Sequence, residues 1–212
     1  MTNPRTLIRW SGLALFIGGL VLVLHYVTHP PGETAEYTTW ALWVPSHVLN
    51  TIGALLVLFG TIGWYARFGS RVGTLGFLAF VFLILMSVFQ ATRAIWAALI
   101  LQRELAPLVP LAPQIVEFPS GPLFSSLPAR VIVGLETITT VLGSVLFAVA
   151  TLREGTLPRS GSLLIIAGLL VASGLLVSQV IGLIGGAIAS VGIAWLGYRF
   201  WQLERTRRTG PA

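Results

Sequence analysis

The residues in this 212-residue chain with side chains suited to chemistry are few, and they gather in two places. All three histidines, His25, His29 and His47, lie within one stretch of 23 residues, HYVTHPPGETAEYTTWALWVPSH. Neutral imidazole is the commonest metal ligand. His25 and His29 have the i, i+4 spacing that places two ligands on one helix face, and His47 can supply a third from the next helix. Pro30 works against that spacing, because it drives His29 away from helical dihedrals. Three readings follow: histidines at a membrane rim with wet tips, a divalent metal site, or a haem held by His25 and His47. The second place pairs Arg93 with Glu136. A charge in hydrocarbon costs about 2.5 to 3.5 kcal/mol on insertion scales, so each should turn to the interior and find a partner. Arg93 lies ten residues inside Arg103 and Glu136 eight inside Pro128, about 15 and 12 Å at 1.5 Å per residue. Their depths match. An ion pair holding two helices together is one expectation. A clamp for a carboxylate or other anion is another, with Gln90 on the face of Arg93 in support. His47 and Asn50 share a stripe on their helix, so Asn50 joins the candidate ligand-binding set of Arg93, Glu136 and Gln90.

The elements that must position these groups are membrane helices. Mean hydropathy is +0.88, 55% of residues are hydrophobic and only 9% are charged, against about a quarter in soluble domains. At about 20 residues per crossing the length accommodates six spans and no separate soluble domain. The expected fold is all-α, a single transmembrane bundle over residues 1–212, with spans near 6–27, 45–65, 72–101, 128–151, 162–178 and 183–201. The connections at 28–44 and 104–127 are long and share one face. A tight turn is expected at 67–71, and another, almost uncharged, around 179–186. Residues 33–42 could form a short interfacial helix.

Residues 104–127 carry prolines at 107, 110, 113, 119 and 122 among many apolar side chains. Irregular backbone at membrane depth must be covered by protein or line a water-filled cavity, so this segment is expected to roof the outer mouth or to lie in the headgroup zone. Glu33, Glu36, Glu104 and Glu117 surround that mouth as rim charges. Gly182, Gly186, Ser190 and Ala194 recur every four residues and form a helix-packing seam of small residues.

Arginine placement sets the orientation. With the N-terminus cytoplasmic, ten of the 13 arginines (5, 9, 67, 71, 153, 159, 199, 205, 207 and 208) lie on the cytoplasmic side, as the positive-inside rule requires. The chain is therefore expected to be N-in and C-in and multi-pass, with every histidine at the outer face. The net charge of +6 is explained by these helix ends and implies no nucleic acid.

Absences exclude several chemistries. There is no cysteine, hence no iron–sulfur cluster and no c-type haem attachment. All basic residues are arginine, so retinal and pyridoxal Schiff bases are excluded. No nucleophile and base share a plausible depth, which argues against an enzyme.

His29-Pro30 after the first span, Trp43 four residues before His47, the LAPLVPLAP segment at 105–113, and Leu152-Arg-Glu-Gly-Thr-Leu-Pro-Arg159 together resemble a large group of six-span bacterial membrane proteins of unknown function. The resemblance implies the architecture and carries no activity. The functional expectation is a membrane binding protein with an outer-side cavity for a small molecule, metal or haem. An accessory or scaffold subunit, docking other membrane subunits or a second copy, is the alternative, and a small-solute transporter the third. The ligand's identity, the oligomeric state and the partners are not written in the sequence.

Overall fold

The computed structural model describes residues 4–31, 40–105, 107, 110–111, 126–176 and 178–206. Among these residues the chain is helical throughout, without a strand. Four helical stretches are long and apolar enough to cross a membrane, Thr6–Thr28, Trp43–Glu104, Leu127–Glu154 and Gln179–Thr206. A bundle whose helices present so many large apolar side chains outward, Leu20, Ile52, Phe77, Ile138 and Trp195 among them, is membrane-embedded and in contact with lipid.

Helix α1 is Pro4–Thr28. The next stretch, Trp43–Trp96, is helical over 54 residues but breaks at Gly73 (φ 56°, ψ −147°). A straight helix of that length would measure about 80 Å at 1.5 Å per residue. Instead, the indole Nε1 of Trp43 donates to the carbonyl of Ala97 at 3.0 Å, so the stretch is a hairpin. Its arms are α2 (residues 43–72) and α3 (residues 74–96), and Gly73 takes the turn because only glycine readily adopts that backbone geometry. The turn expected at 67–71 is thus displaced. Residues 67–71 stay helical because both arginines find carboxylates: Arg67 Nε lies 2.8 Å from Glu204 and Arg71 3.0 Å from Glu154. Beyond α3 the chain widens into a π-helix, Ala97–Leu105.

Helix α4 is Leu127–Glu154, capped by Ser126 and ended by Gly155 in the left-handed region. Helix α5, Arg159–Ala172, runs into a 3₁₀ turn at Ser173–Leu176, and α6 is Gln179–Thr206. The reversal between α5 and α6 therefore precedes Gln179, because residues 179–186 already form the first turns of α6.

Small residues set the packing. A Cβ placed on Gly19 would meet the backbone of Ala194 at 2.5 Å, and one on Gly12 the backbone of Trp201 at 2.7 Å. These contacts run α1 antiparallel to α6 and bring the start of α1 and the last turns of α6 to the same end. Gly168 and Gly185 bring α5 equally close to α6. Side chains from all six helices, Leu15, Thr61, Leu83, Phe147, Ile165 and Ile193, surround a central void of about 10 Å³, scarcely room for one water. The middle of the bundle is closed.

Candidate functional site

Above that closed middle, toward the end where α1 finishes and α2 begins, the interior becomes polar. Three elements fix the histidines. His25, near the end of α1, directs Nδ1 to the carbonyl of Ser46 at 2.9 Å, which ties α1 to the start of α2. His47 directs Nδ1 to the carbonyl of Trp43, one turn back, at 2.8 Å, and His29 directs its own to the carbonyl of Pro30 at 2.8 Å. A carbonyl oxygen only accepts, so in each ring Nδ1 carries the hydrogen, and Nε2 is the lone-pair nitrogen of the neutral imidazole. The ring centroids lie 5.1 Å (25–29), 5.2 Å (29–47) and 6.3 Å (25–47) apart, and the Trp43 indole lies 4.5 Å from His47. His25 and His47 are buried, at 4% and 1% exposure. The three histidines therefore form one cluster. Among the described residues, however, no group of three or more His, Cys, Asp or Glu is arranged to hold a metal ion.

The Trp43–Ala97 bond gives the register of the hairpin. Both arms run inward from that bond to the turn at Gly73. His47 and Arg93 lie four residues inward from the bond, Asn50 and Gln90 seven, and Gly53 and Ser87 ten. Every one of these layers carries a polar group. Arg93 Nε lies 2.9 Å from each carboxylate oxygen of Glu136 and joins α3 to α4. The ion pair expected from matched depths is present. Arg93, one turn before Ala97, stands at the same end as His47, one turn after Trp43. The histidine cluster and the ion pair, separate places in the sequence, thus share one end of the bundle.

Four polar atoms in these layers are buried without a hydrogen-bond partner among the described residues: His47 Nε2, Asn50 Oδ1, Gln90 Oε1 and Ser87 Oγ. Leaving such an atom unsatisfied costs about 1 to 3 kcal/mol, and here four of them share a single interhelical seam. Three are acceptors only, and the serine hydroxyl accepts as well as donates.

Several expected residues fall elsewhere. Glu104 is exposed beside Arg103, with an N···O distance of 3.7 Å. Glu33, Glu36 and Glu117 lie outside the described residues, as do the expected helix at 33–42, except for its last three positions, and most of the Pro-rich roof. The small-residue seam of α6 faces inward: Gly186 lies under the Tyr26 ring, Ala194 against Gly19, and Ser190 is buried with its hydroxyl on the carbonyl of Gly186. Gly182 packs on Leu175. Each seam residue thus meets a side chain or backbone of this chain.

Sequence reasoning missed Tyr26, Trp43 and Ser87 as members of the site. Trp43 had a signal, being one turn before His47, but aromatics at a membrane rim have a ready explanation as belt residues. Ser87 and Tyr26 had none, because what places them is the hairpin register and the approach of α6.

The fold and this site together define a class: a membrane-embedded helical bundle with a polar interior near one end. No family model, curated protein or solved structure matches the chain.

Proposed function

We propose that this is a six-span, N-in and C-in protein of the bacterial cytoplasmic membrane that binds a small polar molecule from the outer side, in the chamber between α1, α2, α3 and α4. The observation that carries the reading is the set of stranded buried acceptors, His47 Nε2, Asn50 Oδ1 and Gln90 Oε1, beside the Arg93–Glu136 pair. Acceptors without donors call for a guest that brings donors, such as a hydroxyl or ammonium group. The pair supplies both signs of charge to orient it. The six-span topology is supported by the hairpin at Gly73 and by the antiparallel approach of α1 and α6. The orientation is supported by the arginines, since 9, 67, 71, 153, 159, 199 and 205 belong to helix ends on one side and the histidines to the other.

A metal ion is the second reading. Its support is the hydrogen bond from each imidazole Nδ1 to a backbone carbonyl, the outer-shell pattern typical of ligating histidines. The ion would have to draw the three Nε2 atoms together. Haem is less well supported, because His25 rests directly on the backbone of Ser46, next to His47, and the two rings sit side by side.

The protein purified in mild detergent should carry a small organic molecule, detected by mass spectrometry after solvent extraction. Asn50→Leu and Gln90→Leu, which remove acceptors at nearly constant volume, should each release it while the bundle stays folded. Metal retained in stoichiometric amount and lost in His47→Ala would select the second reading. If Asn50→Leu and Gln90→Leu raise stability and change neither organic nor metal content, the unmet acceptors serve no guest and the chamber is not a binding site.

A further inference from the structure

The opposite end of the bundle holds a second polar site, independent of the chamber. A groove of about 530 Å³ opens between the last turns of α6 and the α4–α5 loop, lined by Thr156, Tyr198, Arg199, Trp201, Gln202 and Arg205 among others. Its charge is one-sided. The nearby carboxylates are already engaged, Glu204 by Arg67 and Glu154 by Arg71 and Thr156. Arg199 and Arg205 are exposed, and among the described residues neither is paired with a carboxylate. Each instead lies over an indole, Arg199 5.9 Å from the Trp195 ring and Arg205 5.6 Å from the Trp201 ring. A cation–π contact favours a guanidinium position over the ring without using its N–H groups. Gln202 Nε2 donates to the Tyr198 hydroxyl at 2.6 Å, so the phenol's own hydrogen is available to a third party.

Two guanidinium groups and a phenol O–H converging on one groove are donors for a phosphate. We propose that this groove binds the phosphate of an anionic phospholipid headgroup. A headgroup is favoured over a soluble phosphate by the setting: the groove lies where an apolar helix ends, flanked by the Trp195 and Trp201 rings that mark headgroup depth. Its arginines belong to the end that carries most of the positive charge, the end that faces anionic lipid.

The test uses the full chain reconstituted in phosphatidylcholine bilayers doped with phosphatidylglycerol, with retained lipid counted by native mass spectrometry and competition read against inorganic phosphate. Each of Arg199→Gln and Arg205→Gln should lower phosphatidylglycerol retention by about fivefold, the factor that corresponds to one arginine near an anionic surface. Arg159→Gln, an exposed arginine outside the groove, should leave it within twofold, and thermal unfolding should show all three variants folded. Displacement of the lipid by millimolar inorganic phosphate, or equal binding of phosphate to delipidated protein, would assign the groove to a soluble phosphate and overturn the headgroup. Equal loss in Arg159→Gln, or no loss in either groove variant, would reduce the effect to general surface charge and overturn the site.

Discussion

Replacing Arg93 or Glu136 by leucine should destabilise the protein more than replacing both. In the wild type Arg93 Nε sits 2.9 Å from both carboxylate oxygens, with 32% of the Arg93 side chain and 12% of the Glu136 side chain exposed. Two unit charges about 4 Å apart, at an effective dielectric of 20, attract by about 4 kcal/mol. The exposed third of Arg93 reduces this, so about 3 kcal/mol is the expected coupling, at the upper end of measured pairwise terms. Each single change also strands its partner inside the bundle, which places the individual losses near 3 kcal/mol. The double change strands neither. It should therefore cost about 3 kcal/mol in total, about half the sum of the singles. The assay is reversible unfolding in mixed micelles with increasing SDS, followed by circular dichroism for the four proteins of the cycle. Additive losses would refute the pairing as an energetic unit, and a single variant as stable as wild type would refute the claim that a lone charge is costly at this depth.

Trp43→Phe keeps an aromatic ring against His47 but removes the bond to Ala97, so the same SDS titration should show a loss of about 1 to 1.5 kcal/mol; an unchanged midpoint would mean that the indole does not fasten the hairpin. Gly19→Ala, whose new methyl meets the Ala194 backbone, should lower the thermal midpoint in detergent sharply. Gly134→Ala, where nothing lies within 4 Å, should be neutral or stabilising by up to about 1 kcal/mol, and equal effects at the two sites would contradict the α1–α6 approach. Because the chain has no cysteine, Ser120→Cys and Thr209→Cys can each be labelled alone with an impermeant maleimide in oriented vesicles. Labelling from opposite sides is expected, and labelling from the same side would contradict the six-span arrangement.

The helices were legible because lipid imposes a length and an apolar composition that can be counted along the chain. The Arg93–Glu136 pair was legible for a related reason: a charge at depth needs a partner, and depth follows from residue number. The position of the hairpin turn was not. Arg67 and Arg71 resemble loop residues until Glu204 and Glu154, more than 80 positions away, are brought beside them. The unity of the site was equally hidden. Bringing Gln90 to the same end as Asn50 requires the hairpin, whose arms are fastened by one indole bond between residues 54 apart. The π-helix that follows has no local signature in Ala97–Leu105, and nothing in the sequence marks Ala97 as an acceptor for Trp43.

The two ends of the bundle are fastened by different forces. At the arginine-rich end the helices are joined by ion pairs, α2 to α6 through Arg67 and Glu204 and α2 to α4 through Arg71 and Glu154. At the histidine end α1 is tied to α2, and α2 to the π-helix, by neutral hydrogen bonds to backbone carbonyls. Dissolved salt weakens solvent-accessible ion pairs and barely touches buried neutral bonds. Ionic strength therefore reaches both ends, at the Arg71–Glu154 pair, whose arginine is exposed, and to a lesser degree at the Arg93–Glu136 pair, while the backbone-bonded ties made by His25 and Trp43 keep their shape.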